Sequence, residues 1–233
     1  MKPGSRKLIY VGINFVISPP PVINPESFLK FQESLISHSV DFTESSRQEQ
    51  QYEHRIEISR GTPPLRIVVI ASTKQPIGQL LILAPNPART VDYFIQETEQ
   101  ITEAFVETWE TSHRQIMKRD VTIRDLYEAT SDHAFQELWE ERLGQSIDSL
   151  ATFGPIQGGG LRFVIPPQPE RPAQIEIKIE SYLKDSSKIF VENQFTWPTP
   201  TQPGTSFNPK TFLLEAENYA KNQVLSFIRG SEE

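Results

Sequence analysis

Apolar residues recur along the chain in two rhythms, every second position or every third and fourth, and the elements can be read from where each rhythm starts and stops. Residues 8–17 read as a strand, closed by Ser18-Pro19-Pro20-Pro21 because proline brings no N–H to a ladder. Asn24-Pro25 then opens a helix, with a capping side chain followed by a proline at a position whose N–H has no helical partner. That helix is expected to bury Phe28, Leu35 and Ile36. Residues 41–51 are polar and show no apolar period, so they read as a connection. Ile56 and Ile58 alternate with charge and mark a strand; the apolar runs 65–71 and 80–83, each bounded by turn residues, mark its neighbours.

The strongest helical pattern covers residues 90–109. Val91, Phe94, Ile95, Thr98, Ile101, Phe105, Val106 and Trp109 fall on one face at three-and-four spacing, so this helix is expected to cover the sheet. A similar order follows it: a strand at 121–127, a helix at 132–143 with Phe135, Leu138, Trp139 and Leu143 inward, and a strand at 161–165. Residues 174–180 alternate Ile175, Ile177 and Ile179 with Glu176, Lys178 and Glu180, the pattern of a sheet packed on one face and open on the other. A last strand at 188–197 and a proline-rich connection lead to Asn208-Pro209, a second helix start of the same kind, with a helix ending near Ile228. The terminal Gly230-Ser231-Glu232-Glu233 is expected to fray.

The recurrence extends to residue identity. Phe28-Leu29-Lys30-Phe31 matches Phe135-Gln136-Glu137-Leu138, Ser39-Val40-Asp41 matches Ser146-Ile147-Asp148, and Arg55-Ile56-Glu57-Ile58 matches Arg162-Phe163-Val164-Ile165, all 107 positions apart. One offset over three separated segments predicts an internal duplication. The expected fold class is therefore α+β: a duplicated β-α-β-β-β-α unit, mainly antiparallel, with helices over one sheet face. The expected units are residues 1–115 and 116–233.

Composition narrows the function classes. With 233 residues, 37% hydrophobic and 23% charged, the chain has the makings of an ordered core. It has no cysteine, which excludes disulfides, thiolate metal sites and a cysteine nucleophile. No stretch approaches the roughly 18 apolar residues of a membrane span, and the basic start, Met1-Lys2-Pro3-Gly4-Ser5-Arg6-Lys7, is followed by Gly12, Asn14 and prolines rather than a long apolar run. A soluble, cytoplasmic protein without a membrane partner is expected. The net charge of −7 opposes nonspecific attraction to phosphate backbones, so nucleic acid is not the expected partner.

Several short patterns carry potential chemistry. Glu110-Thr111-Ser112-His113 has the Glu-x-x-His spacing of carboxylate metal sites, but those need a second copy and further glutamates, and the sequence has no second copy. Ser27-Phe28-Leu29-Lys30 has the Ser-x-x-Lys spacing of serine acyl-transfer enzymes without their companion motifs; Ser27 in a first helical turn reads as a capping or solvent-facing residue. Gly158-Gly159-Gly160 leads into a strand rather than into the helix start that a phosphate loop requires. His38, His54, His113 and His133 show no ligand spacing. No catalytic residue, metal or cofactor is assigned.

Two charge clusters remain. Glu99, Glu103 and Glu107 form an acidic row at i, i+4 spacing on the long helix. Like charges so placed repel by a few tenths of a kcal/mol per pair, and a basic partner surface would offset this, as would nearby Arg114 or Lys118. These three glutamates are the candidate partner-binding residues. Arg114, Lys118, Arg119 and Arg124 form the densest basic cluster, without the interleaved aromatics that bind nucleic-acid bases.

In element order the chain resembles the two-repeat saddle of TATA-box-binding proteins. That likeness implies a concave sheet, on which this chain carries Glu176, Lys178 and Glu180 where those proteins present basic residues and phenylalanine wedges. The chain also looks like a sporadically distributed family of uncharacterised bacterial proteins. The matching features are the opening strand at 8–17 and the closing amphipathic helix at 212–228 behind Asn208-Pro209; this resemblance implies no activity and no site residues.

Three functional readings follow. The first is a non-enzymatic binding or regulatory module that engages a partner protein through an open sheet or the acidic helix face, with self-association compatible with an open sheet. The second is a small-molecule binder or enzyme with a cleft between the halves, and the third is nucleic-acid binding through the open sheet.

Overall fold

The alternation of apolar and polar residues in the opening strand, β1 (Lys7–Ser18), buries Val11, Ile13, Phe15 and Ile17 on one face and turns Tyr10, Gly12, Asn14 and Val16 to the other. The further strands are β2 (Glu44–Gln50), β3 (Glu53–Gly61), β4 (Pro64–Ser72), β5 (Gly78–Pro85), β6 (Gln115–Glu128), β7 (Gly160–Ile165), β8 (Gln174–Ser181) and β9 (Lys188–Trp197). In this computed structural model, which describes residues 1–2, 4–110 and 112–229, the strands form one nine-stranded antiparallel sheet in the order β2-β3-β4-β5-β1-β6-β9-β8-β7. With the helices this makes an α+β fold. The expected fraying of residues 230–233 lies outside the described residues.

Helices cover one face. α1 (Pro25–Ser37) begins with Asn24 and Ser27 capping each other: the Ser27 N–H donates to Asn24 Oδ1 at 2.8 Å and the Asn24 N–H donates to Ser27 Oγ at 3.0 Å. Ser27 is thus a capping residue. α2 (Val91–Thr108) lies beside α1. Phe31, Phe105 and Trp109 meet between them, with ring centroids 4.9 to 6.4 Å apart, and Phe207 joins Phe105 to Phe15 of the sheet. Fully burying one such ring contributes about 1.5 to 3 kcal/mol, so this aromatic cluster is a principal weld between helices and sheet.

The second half is covered by a short helix, α3 (Ala134–Gln136), continued by wider π-helical turns (Glu137–Arg142). A 3-10 helix (Ile147–Phe153) follows, and the closing helix has α4 (Pro209–Tyr219) and α5 (Leu225–Arg229) joined by π turns (Ala220–Val224). Outward from the central β1 and β6, the first half runs β5, β4, β3, β2 and the second β9, β8, β7. The halves differ by one strand, and the expected internal duplication is not confirmed by this arrangement. β6 pairs with β1 along its length, so a single sheet runs through both expected units.

Three details differ from the sequence reading. Residues 44–50, taken as a connection, form β2, which makes four strands rather than three between the first half's helices. Exposed polar side chains suit an edge strand, and apolar periodicity is no guide where neither face is covered. Ile36 is 65% exposed whereas Phe31 is buried, because Phe28, Phe31 and Leu35 share the covered stripe and Ile36 is rotated about 100° from Leu35. Val106 is exposed for the same reason, off the centre of the α2 stripe.

One ionic contact ties the sheet to α2. Arg60 of β3, buried, pairs with the equally buried Glu97 of α2 at 2.7 Å and also meets exposed Asp41. Removing one partner of such a pair leaves a buried charge without compensation, at a cost of about 3 to 5 kcal/mol. Arg60→Leu is therefore expected to lower the unfolding free energy by about 3 kcal/mol in a denaturant titration. The double variant Arg60→Leu, Glu97→Leu should recover most of it; equal losses in both would show that the pair is not what matters there.

Candidate partner-binding groove

The acidic row sits on the rim of a groove at the junction of the two halves. The groove, of about 710 Å³, is bounded by His38 at the end of α1, by Glu99, Thr102, Glu103, Val106 and Glu107 of α2, and by the segment from Gly204 to the start of α4. Phe207 closes its floor, buried against Phe15 and Phe105. Asn208 holds a left-handed conformation (φ 44°), accessible to asparagine more readily than to most residues, and turns the chain into Pro209 and α4.

His38 supplies the nearest counter-charge when protonated. Its Nδ1 is 3.3 Å from Glu103 and its Nε2 is 2.9 Å from Glu107, so it bridges two members of the row. Ser34, one turn earlier on α1, donates its hydroxyl to Glu107 at 2.6 Å. The Ser34 hydrogen bond, with help from His38, holds the Glu107 carboxyl below the usual carboxylate range. The compensation thus comes from α1 and not from Arg114 or Lys118. Glu99, one turn toward the N-terminus, makes no ion pair among the described residues.

The basic cluster read from the sequence is divided between the sheet faces. Lys118 and Arg124 lie on the open face, paired with Asp120 at 3.0 Å and Glu192 at 2.5 Å. Arg119 is buried on the covered face with its guanidinium over the Phe212 ring, and burial lowers its pKa, as it does that of Arg114. No basic patch results, because alternate residues of one strand point to opposite faces. On the open face the charges pair across strands: Arg124 with Glu192, Glu192 with Lys178 at 2.7 Å, and Arg162 with Glu176 at 2.9 Å.

The remaining sequence candidates separate. His113 lies in the connection between α2 and β6, and Thr111 of its motif is outside the described residues. Gly159 and Gly160 enter β7 as expected of a strand entry; a Cβ on Gly159 would lie 2.7 Å from the Phe135 ring. Among the described residues no group of three or more His, Asp or Glu is placed to hold a metal ion, and no helix is long and apolar enough to cross a membrane.

A second polar cluster had no sequence signal. Arg6, just before β1, grips Asp125 of β6 at 2.9 and 3.0 Å and Glu217 of α4 at 2.6 and 2.8 Å. Asp125 is wholly buried, and burial pushes its carboxyl from 3.8 up to about 6 against the pull of Arg6. Burial also raises Glu217, but hydrogen bonds from Arg6 and Lys221 outweigh it and hold that carboxyl low. The two carboxylates on one guanidinium therefore move in opposite directions, because Glu217 has a second cation and Asp125 is deeper. Pattern alone could not join residues from three distant segments.

No family model matches the chain, and no curated protein matches it. Among solved structures, the Trypanosoma brucei AdoMetDC-delta26 monomer is similar at 10% identity and a TM-score of 0.30, over 83% of this chain and 66% of that one. At that score the likeness carries no argument about function.

Two titrations follow from these contacts. In Ser34→Ala the Glu107 carboxyl should titrate at higher pH than in the parent, toward the ordinary range, as read by carbon-detected NMR. An unchanged midpoint would mean that the Ser34 hydroxyl does not hold it. For Asp125, the folded state keeps a proton that the unfolded chain has released between pH about 4 and about 6, so this group's contribution to stability falls as pH rises through that window. A shift of this size corresponds to on the order of 3 kcal/mol. Asp125→Asn should remove that component, and comparing unfolding free energies of parent and variant at the two ends of the window measures it.

Proposed function

We propose that this chain is a non-enzymatic binding module whose acidic groove takes a basic segment of a partner protein. The observation that carries the reading is the convergence of Glu99, Glu103 and Glu107 on one groove whose other lining residues include no lysine or arginine. A lysine or arginine of a partner could replace His38 at Glu103 and Glu107 and reach Glu99 with the next charge. Shape adds to charge: Phe207 and Val106 give the groove apolar surface that can pack against the stems of such side chains.

The open sheet face supports a partner less well, since Arg124, Glu192, Lys178, Glu176 and Arg162 already neutralise one another there. A nucleic acid would have to break these pairs. A second reading, a small-molecule site between the halves, draws support from Asp125, a buried carboxyl with a raised pKa at the β1–β6 junction. Its weakness is access: Asp125 is fully buried and both its oxygens are held by Arg6.

The test is an affinity capture of the protein from its native cells, in parallel with the triple variant Glu99→Lys, Glu103→Lys, Glu107→Lys. The expected result is a stoichiometric protein partner with a basic segment, lost from the variant. Reversing these three charges should weaken binding at least about tenfold, and raised salt should weaken the parent's binding in the same direction. Recovery of the same partner by both proteins overturns the assignment to this groove.

A further inference from the structure

The two edges of the sheet differ in a way that the acidic groove does not explain. β2, at one end, reads Glu-Ser-Ser-Arg-Gln-Glu-Gln and carries the charged, exposed side chains that deter strand addition. β7, at the other, reads Gly-Leu-Arg-Phe-Val-Ile, with Val164 56% exposed and Phe163 39% exposed. Beside β7 the covered face is not closed: an apolar groove of about 240 Å³ runs between the strand and the closing helix, and exposed Phe227 meets Phe163 edge-on at 5.6 Å. Unpaired backbone and exposed apolar side chains thus coincide at one edge.

Backbone phase decides which groups of β7 are free. The Ser181 N–H donates to the Gly159 carbonyl at 3.0 Å, so Gly159 and Ser181 are a hydrogen-bonded pair. In an antiparallel ladder such pairs alternate, which places Leu161 with Ile179 and Phe163 with Ile177 in the same phase. The N–H and C=O groups of Arg162 and Val164 then point away from β8, toward the free edge.

We propose that β7 pairs antiparallel with β7 of a second copy of this chain, across a two-fold axis at Phe163, to make one continuous sheet through both subunits. Three observations favour a second copy in this register. Arg162 of each chain then faces Val164 of the other, so all the free edge groups of both residues are used. Centring the axis on Arg162 would oppose two guanidinium groups, and centring it on Val164 would set Arg162 against Pro166, which has no N–H. With the axis at Phe163, the two Phe163 rings face each other on the covered side and Leu161 meets Ile165, extending each subunit's apolar groove into its neighbour's. The strand's lone charge, Arg162, is already paired with Glu176, so the contact adds no like-charge opposition despite the net charge of −7. The interface is isologous and therefore closes at a dimer.

Sedimentation equilibrium between about 1 and about 100 µM should show a monomer–dimer equilibrium. Val164→Pro removes an edge N–H without touching the β8 ladder and is expected to abolish the dimer while leaving the thermal melt of the monomer in place. The absence of cysteine allows a second, independent readout. At a non-hydrogen-bonded antiparallel pair the Cα atoms are about 4.5 Å apart, within the roughly 4.4 to 6.8 Å of a disulfide. Phe163→Cys should therefore cross-link to itself on oxidation, whereas Val164→Cys, diagonal to its own copy at about 7 to 8 Å, should not. A parent that stays monomeric across the range overturns the proposal. So does a dimer that persists in Val164→Pro, or equal cross-linking by both cysteine variants. Should Val164→Pro fail to fold, the cysteine pair still decides.

Discussion

The pairing of β1 with β6 is the contact on which the rest of the molecule depends. It joins the first and second halves in one sheet, and both strands bury one face against helices, so a one-residue slip would turn Val11, Ile13 and Phe15 outward. The open face supplies a register lock. Tyr10 stands opposite Arg124, Arg124 opposite Glu192 and Glu192 opposite Lys178, a transverse row across β1, β6, β9 and β8. The Arg124 guanidinium lies over the Tyr10 ring at 4.6 Å and pairs with Glu192, which pairs in turn with Lys178. Tyr10 lies over Gly12, its neighbour on the same face; a Cβ added there would lie 2.9 Å from the Tyr10 hydroxyl and 3.2 Å from Leu83, so the ring would have to shift.

Once β1 and β6 are neighbours, the helices that follow each half are brought together on the covered face. α2 belongs to the first half and α4 to the second, and the groove is the space left where α2, the end of α1 and the approach to α4 fail to close over the sheet. The Arg6 cluster marks the same seam at the other end of α2, reaching from β1 to β6 and α4. Both polar features are consequences of joining two covered sheets edge to edge, since helices laid over each half separately leave a furrow between them.

Sequence pattern gave away the elements whose two faces meet different surroundings. The α2 stripe, the Ile175-Ile177-Ile179 alternation and the two Asn-Pro helix starts were legible because burial and capping impose short, local spacings. β2 was not, because an exposed edge strand has no apolar period. Of the site, Glu99, Glu103 and Glu107 were legible as a row, but the partners that give the row its character were not. Ser34 and His38 lie on α1 and reach Glu107 and Glu103 only through helix–helix packing, and the Asn208 turn lies about a hundred residues further on. Arg114 and Arg119 show the converse: adjacency in sequence did not become adjacency in space, because a strand divides its residues between two faces.

Charge in this protein falls into two classes that exposure separates. Glu97, Asp125, Glu217 and Glu192 are buried and held by arginines or lysines at fixed distances, so exchanging their partners would strand a charge in the interior. Glu103 and Glu107, by contrast, are 65% and 55% exposed at the side chain, so the proposed partner's cation would meet them there with little desolvation. Reversible association requires charges of the second class, because binding and release must both be accessible at modest cost. By that criterion the Arg6 cluster is a structural fastener, and the proposed binding surface falls on the α2 row, whose exposed carboxylates can gain or lose a counter-charge without disturbing the core.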